Sequence, residues 1–357
     1  MSLYVDIEKK MGDFHLKTKF ETSDGVLALL GASGCGKSMT LKCIAGIELP
    51  DRGKIVLDGV TLFDSKERIN LSPQKRKVGY LFQQYALFPN MTVRQNIAAA
   101  VRNKDRADTE VAQMIHSMHL EGLEDRLPDQ LSGGQKQRTA LARILINHPN
   151  ALLLDEPFSA LDSHLRFQME QEVREVIQRF DKTVLLVSHN RDEVFRLSDD
   201  IAIMCNGHIE VQGSRKEVFH SPETVNGAIL TGCKNISRLE HIAGKRVRAV
   251  DWGMELELEL EPKYEMGQES DQDFKAAICY IGIRMHHICA GEGENTYSCQ
   301  VVEEIENPFS FTLMLRPDGA QQEAVYWEVD KDTWRRIRAK TVKISLPKNA
   351  LILLGKG

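Results

Sequence analysis

The amino-acid sequence predicts an α/β domain built on a parallel sheet, followed by a smaller all-β domain, with the division at residues 1–235 and 236–357. Three observations carry that expectation. A short apolar run stops at the glycine-rich peptide Gly31-Ala32-Ser33-Gly34-Cys35-Gly36-Lys37-Ser38, and a second, Leu152-Leu153-Leu154, ends in the acidic pair Asp155-Glu156. Beyond residue 235 the texture changes to brief alternating runs divided by Gly, Pro, Asn and Asp. At 357 residues the chain is also longer than one compact domain usually runs.

Taken in order, Val26 to Leu30 reads as a buried strand, and Lys37 to Ala45 has helical spacing through Leu41, Ile44 and Ala45. Asn103 to Leu123 also reads as helix, and Pro128 with Asp129 breaks the pattern. Ala151 to Leu154 and Thr183 to Val187 are continuous apolar runs, as strands covered on both faces require. Between them Leu165 to Phe180 places Met169, Val173 and Ile177 on one helical face, so the unit is β-α-β. In the second domain Lys245 to Val250, Met254 to Leu260, Ala276 to Ile283, Ser298 to Ile305, Phe309 to Leu315, Ala324 to Val329 and Thr341 to Ile344 read as strands, with Glu261 to Phe274 as a polar loop. No internal repeat has the period of a solenoid or propeller.

Composition excludes several classes. Hydrophobic residues at 42% and charged residues at 27% are globular values, unlike those of a disordered or coiled-coil chain. The net charge is -5 and no Lys/Arg-rich arm stands out, so no nucleic-acid partner is expected. The longest apolar runs fall far short of the roughly 20 residues that cross a bilayer. Met1 to Lys10 lacks the apolar core of a secretory signal, which places the chain inside the cell. Seven cysteines without a C-x-x-C pair, one of them in the glycine-rich peptide, fit a reducing compartment. His286, His287 and Cys289 lack the paired spacing of a zinc site and read as ordinary strand or turn residues.

Chemistry concentrates in the glycine peptide and the acidic pair. Strand, glycine loop and helix in succession form a phosphate cradle: the glycines let successive backbone N–H groups face an anion, and the helix adds its positive end. Gly31, Ala32, Ser33, Gly34, Cys35, Gly36, Lys37, Ser38 and Met39 are the candidate nucleotide contacts. Lys37 is expected to reach the β and γ phosphates, and the Ser38 hydroxyl to ligate magnesium. Asp155, at the carboxyl end of a buried strand, is a magnesium contact, and Glu156 orients or deprotonates the attacking water. Seen alone, two adjacent acids at a strand end are often turn residues; beside a phosphate loop they read as catalytic. Ser132 is a good helix N-cap, Gly133 and Gly134 let backbone amides approach an anion, and Gln135 begins a helix running through Arg143.

With Gln83 in Leu81-Phe82-Gln83-Gln84-Tyr85-Ala86-Leu87-Phe88-Pro89, Leu131-Ser132-Gly133-Gly134-Gln135, Ser159-Ala160-Leu161-Asp162, and His189 after Val187-Ser188, the ordered motifs resemble those of ATP-binding cassette (ABC) ATPases. The resemblance implies a RecA-like core with a helical subdomain and an antiparallel β subdomain, binding ATP and Mg2+. It makes Gln83 a magnesium and water contact that levers between nucleotide and partner, Ser132, Gly133, Gly134 and Gln135 the signature that meets ATP, Asp162 a dimer contact, and His189 the γ-phosphate sensor. The family's adenine-stacking tyrosine or tryptophan is missing near the N-terminus; Phe14 is the substitute, with Met11 as the alternative. Because the signature meets ATP held by a second copy, a single cassette implies a homodimer with two ATP at its interface.

No coiled coil separates phosphate loop from signature, and Tyr85 to Pro89 resembles importer ATPases. The β domain containing Tyr280-Ile281-Gly282-Ile283-Arg284 resembles the oligonucleotide-fold-like regulatory domain (TOBE/MOP-like) appended to importer ATPases. The resemblance thus implies two integral membrane permease subunits, a periplasmic or extracellular substrate-binding protein, and a peripheral position on the cytoplasmic face of the membrane. The run Val5 to Phe14 and the junction Cys233-Lys234-Asn235-Ile236 look most like ATPases of molybdate, tungstate or sulfate importers, with sugar, polyamine and ferric-ion importers and a soluble ABC switch as alternatives. The β domain holds a regulatory oxyanion or only strengthens the dimer.

Overall fold

The computed structural model describes residues 2–101, 107–159, 163–259, 279–319 and 322–356, with only the backbone at 163–165. The chain divides into two compact units, Met1–Arg215 and Lys216–Gly357. In the first, β1 (Leu3–Met11) and β2 (Phe14–Thr22) form a hairpin, then come β3 (Gly25–Leu30), α1 (Lys37–Ala45), β4 (Arg52–Leu57), β5 (Val60–Asp64), β6 (Ile69–Asn70) and β7 (Val78–Leu81). The chain continues through α2 (Val93–Ala98), α3 (Ala107–Ser117), α4 (Gly133–Leu145), β8 (Ala151–Asp155), α5 (Ser163–Phe180), β9 (Thr183–Ser188), α6 (Arg191–Leu197), β10 (Asp200–Cys205) and β11 (His208–Ser214).

Two sheets pack around α1. The antiparallel one runs β2-β1-β4-β5-β6, and its alternation buries Leu3, Val5 and Ile7 from β1 with Leu16 and Phe20 from β2. The other runs β11-β10-β3-β9-β8-β7, parallel from β10 to β7. Every residue of β8 and β9 is buried, which is why both read as unbroken apolar runs. A separate cluster, with Val93, Ile97, Val111, Ile115 and Leu131 at its centre, joins α2, α3 and α4 into the helical subdomain. Helix α3 is shorter than expected: it ends at Ser117, and His119 at φ 50 turns the chain before Leu120 buries.

The second unit takes in α7 (Arg215–His220) from Lys216 onward and α8 (Val225–Leu230), then β12 (Asn235–Ala243), β13 (Arg246–Ala249), β14 (Met254–Glu257), β15 (Tyr280–Ile283) and β16 (Cys289–Ala290). It ends with β17 (Thr296–Glu306), β18 (Ser310–Pro317), β19 (Val325–Asp330), α9 (Lys331–Ile337), β20 (Thr341–Ser345) and β21 (Leu351–Leu354). Sheets β14-β13-β12-β15-β21 and β16-β20-β17-β18-β19 share one core containing Trp252, Trp327 and Trp334. Two features depart from the sequence expectation. The unit begins about twenty residues before 235, because Ala228 and Cys233 pack with Ile352 and Leu354, and Val225 N–H donates to Gly355 O at 3.1 Å. It is also not purely β: Asp330 caps α9 by accepting from Thr333 N at 2.8 Å, and Trp334 anchors the helix. The loop expected at Glu261 to Phe274 lies outside the described residues.

Candidate functional site

The glycine peptide leaves β3 at the carboxyl edge of the parallel sheet and enters α1, with Ala32, Ser33 and Gly34 exposed above it. Glycine is required at two of its positions. A Cβ on Gly31 would stand 2.3 Å from the Met204 carbonyl oxygen, and Gly36 caps α1 at φ 107. Lys37 is 4% exposed, and its Nζ donates to the carbonyl oxygens of Gly31 and Ala32, both at 2.8 Å, with Cys35 Sγ at 3.7 Å. Among the described residues this buried ammonium meets only neutral atoms, an arrangement that a bound anion completes. Phe14 packs against the same loop, its Cζ 3.3 Å from where a Gly36 Cβ would lie.

At the end of β8, Asp155 gathers two donors: Ser38 Oγ reaches Oδ1 and Tyr80 OH reaches Oδ2, both at 2.7 Å. Tyr80 is absent from the sequence reading. Parallel pairing sets Tyr80 opposite Leu153, two residues before Asp155, so the long phenol spans that offset. Burial, together with the Asp155 carboxylate beside it, pushes the Tyr80 phenol up and keeps it a donor. The Ser38 hydroxyl and Asp155 carboxylate are hard oxygen donors meeting next to the phosphate loop, and this donor set fits magnesium.

Glu156 leaves the strand at φ 45, a left-handed conformation costing on the order of 1–3 kcal/mol in a non-glycine residue. Neighbours hold it: its N–H donates to Val187 O at 3.0 Å, and its own carbonyl accepts from Ser159 N at 3.2 Å and Oγ at 3.0 Å. The turn aims the carboxylate between two further expected residues. His189 Nδ1 lies 3.2 Å from Oε1, and Gln83 Nε2 donates to Oε2 at 3.4 Å. A carboxylate only accepts, so Nδ1 is the donor in this contact. Asp155, Glu156, Gln83, His189, Ser38 and Lys37 thus assemble on three neighbouring strand ends and one helix start.

The signature peptide stands at the start of α4, where its expected N-cap is found. Ser132 Oγ accepts from Gln135 N at 3.3 Å, and Gln135 Oε1 accepts from Ser132 N at 2.9 Å, a reciprocal capping box. The helix starts at Gly133 rather than Gln135, because the reciprocal bonds hold both glycines in its first turn. Further along α4, Arg143 donates to the carbonyls of Tyr85 and Ala86 at 3.2 and 2.9 Å and stacks 5.1 Å over the Phe88 ring. Buried Asn96 holds the same segment by donating to the carbonyls of Phe88 and Met91. Neither was singled out from sequence. They tie the segment after Gln83 to the signature helix and leave Phe82, Phe88 and Met91 exposed.

Asp162 lies outside the described residues. His286 and His287 form a turn whose rings meet edge to face at 4.4 Å, Cys289 opens β16, and among the described residues no group of three or more His, Cys, Asp and Glu could hold a metal.

The ABC transporter family matches residues 17–159, which span the glycine loop, Gln83, the signature and the acidic pair. The molybdate/tungstate import ATP-binding protein WtpC of Archaeoglobus fulgidus is 42% identical over 221 residues, covering 61% of this chain and 90% of that protein. The spermidine/putrescine import ATP-binding protein PotA of Nitratidesulfovibrio vulgaris is 41% identical over 236 residues, 65% of this chain, and the chain spans only 59% of that relative's length. Among solved structures, cbiO1 from Clostridium perfringens, described as part of an ABC transporter complex, aligns with a TM-score of 0.54 and 28% identity over 62% of this chain and 91% of its own. With nine-tenths of an import ATP-binding protein matched at 42% identity and the motifs gathered at one sheet edge, the chain belongs to the ABC transporter family of ATP-binding proteins.

Proposed function

We propose that the chain is the ATP-hydrolysing subunit of an importer, working as a homodimer that buries two ATP between its copies. The observation that supports this best is the Glu156 carboxylate held between His189 and Gln83, one residue past the Ser38–Asp155 contact. Lys37 exchanges its carbonyl partners for the β and γ phosphates, while loop amides from Ala32 to Met39 cradle them. Glu156 accepts the proton of the attacking water, and His189 donates to that carboxylate through Nδ1 while its imidazole serves as the γ-phosphate sensor. Ser38 and Asp155, with Gln83 nearby, would hold magnesium, which when bound would neutralise phosphate charge. Phe14 is the adenine contact, supported by its packing on Gly36; Ser132, Gly133, Gly134 and Gln135 meet the partner copy's ATP, and Asp162 contacts the partner.

Exposed Phe82, Phe88 and Met91, braced by Arg143 and Asn96, suit docking on an integral membrane permease, of which the dimer would engage two subunits. No described helix is long and apolar enough to cross a membrane, which fits a peripheral subunit on the cytoplasmic face, fed by an external substrate-binding protein. Within the unit that begins at Lys216, residues 236–357 act as a regulatory, oligonucleotide-fold-like domain, with 216–235 as the lead-in from the cassette proposed at 1–235. Molybdate, tungstate or sulfate is the proposed cargo, a reading that the molybdate/tungstate relative supports and the polyamine relative opposes. Phosphate release from ATP by the purified chain tests the ATPase reading, and loss of release in Lys37→Ala is expected. Calorimetry of the cognate binding protein with molybdate, sulfate and spermidine decides the cargo: heat with spermidine alone removes the oxyanion reading. Purification free of any integral membrane protein, with activity insensitive to a loaded binding protein, would favour a soluble switch instead.

A further inference from the structure

Glu193 is a carboxylate in α6 that the proposed reaction does not use, yet it is 5% exposed and tied to both neighbours of His189. Ser188 Oγ donates to Glu193 Oε2 at 2.7 Å, in a buried hydrogen bond. Asn190 N–H donates back to Ser188 Oγ at 2.9 Å, so one hydroxyl links the residues on either side of the histidine. The Asn190 side chain closes the ring by accepting from the N–H groups of Asp192 and Glu193, at 2.9 and 3.3 Å, as the N-cap of α6. The other oxygen of Glu193 lies 3.6 Å from Arg166 Nε on α5, the helix that also sends Glu170 to grip Arg196 through two bonds of 2.7 and 3.0 Å.

Burying a carboxylate is costly, and desolvation pushes the Glu193 carboxyl up despite the serine and arginine beside it. A glutamate in the first turn of α6 has no packing reason to bear that cost, since an apolar side chain of similar volume would fill the same space. What the carboxylate provides is an acceptor for Ser188.

We infer that Glu193 is a positioning residue for His189: its carboxylate fixes Ser188 and Asn190, and thereby the imidazole that faces Glu156. With the backbone clamped on both sides, only the side-chain torsions of His189 remain to be set, and the 3.2 Å contact with Glu156 Oε1 sets them. Through Arg166 and Glu170 the same clamp ties the His189 loop to α5, which follows directly on the segment carrying Asp162. The catalytic consequence rests on the ATPase reading; the positioning itself does not.

The test uses the full chain and four variants: Glu193→Ala, Glu193→Gln, Ser188→Ala and the Ser188→Ala/Glu193→Ala pair. Misplacing a reacting group by about 1 Å costs on the order of 10- to 100-fold, so Glu193→Ala is expected to lower kcat by that factor with little change in KM for ATP. Glu193→Gln keeps an oxygen that accepts from Ser188 and is expected to restore most of the rate, a rescue that general loosening of the fold would not produce. Ser188→Ala should match Glu193→Ala, and the pair should be no worse than either, as a single chain of contacts requires. Should Glu193→Ala fold poorly, Ser188→Ala removes the same link by deleting one oxygen. Parent-like kcat in both alanine variants, or no rescue by glutamine, overturns the inference. Labelled-histidine NMR supplies a readout independent of turnover: the His189 ring signals are expected to shift and broaden in both alanine variants and to keep their parent positions in Glu193→Gln. Unchanged ring signals overturn the inference even if the parent hydrolyses no ATP, whereas absent hydrolysis with the expected ring signals sinks only the ATPase reading.

Discussion

Asp155 shows how one carboxylate can be held ready for a cation by hydroxyls alone. Ser38 comes from α1 and Tyr80 from β7, and each satisfies one oxygen without bringing a charge of its own. A phenol bonded to a buried carboxylate contributes more than an ordinary hydrogen bond, about 1.5–3 kcal/mol. Tyr80→Phe is therefore expected to lower stability by roughly that amount and to weaken magnesium-dependent nucleotide binding, both readable by thermal melting with and without Mg-ATP. An identical melt in the variant would show that Asp155 does not need the phenol. Lys37 presents the opposite case, a buried charge with only neutral partners among the described residues. Lys37→Ala should then cost little stability in nucleotide-free protein while removing the gain in melting temperature that ATP confers on the parent. Stabilisation by ATP that survives in Lys37→Ala would displace this lysine from the phosphate site.

At the scale of elements, helix starts carry the part of the polar chemistry that the strand ends do not. The capping box at α4 satisfies two backbone donors that the helix start leaves unpaired. Ser132→Ala is expected to cost about 1 kcal/mol, visible as a drop of roughly 2–4 °C in the transition of a unit this size; no drop would mean the cap is redundant. Helix α6 makes a pH-dependent prediction. The Glu193 carboxyl sits above its ordinary value of 4.5 because it is buried, so the folded chain holds this proton more tightly than the unfolded one. The resulting stability is fully present below pH 4.5 and is lost as pH rises through the elevated folded value. Glu193→Gln should accordingly be more stabilising, relative to the parent, at pH 8 than at pH 4, and a difference that ran the other way would contradict the burial argument. The contrast with the motifs is instructive. The glycine loop, the acidic strand end and the signature were legible because backbone geometry demands particular residue types at fixed spacing. Tyr80, Arg143, Asn96 and Glu193 act through register and tertiary contact, and nothing in Val78-Gly79-Tyr80-Leu81 announces that the phenol will meet Asp155. Helix α9 escaped for a different reason: seven residues with Trp334 alone buried leave no apolar period to read.

For the whole molecule, the arrangement of anion-binding elements argues for more than one copy. In the proposed mechanism Lys37 and the glycine loop would form one phosphate site, and the start of α4, with two glycines behind a Ser132 cap, would offer backbone amides to another. If both served the same nucleotide within one chain, ATP would bind and be hydrolysed without any change of assembly. If they serve nucleotides shared between two copies, ATP becomes the glue of an isologous dimer, and the dimer persists for as long as the γ phosphate does. Glu156→Gln separates these cases, since it leaves Lys37, Ser38 and Asp155 to bind ATP while removing the acceptor for the water's proton. Sedimentation of Glu156→Gln with Mg-ATP is expected to show a stable dimer, with Mg-ADP a monomer, and with Ser132→Arg added a monomer again, because the bulky cation blocks the second site in every copy. The parent with Mg-ATP should dimerise only transiently, and Lys37→Ala not at all. A Glu156→Gln chain that stays monomeric while saturated with ATP would confine each nucleotide to a single copy and remove the clamp from the mechanism.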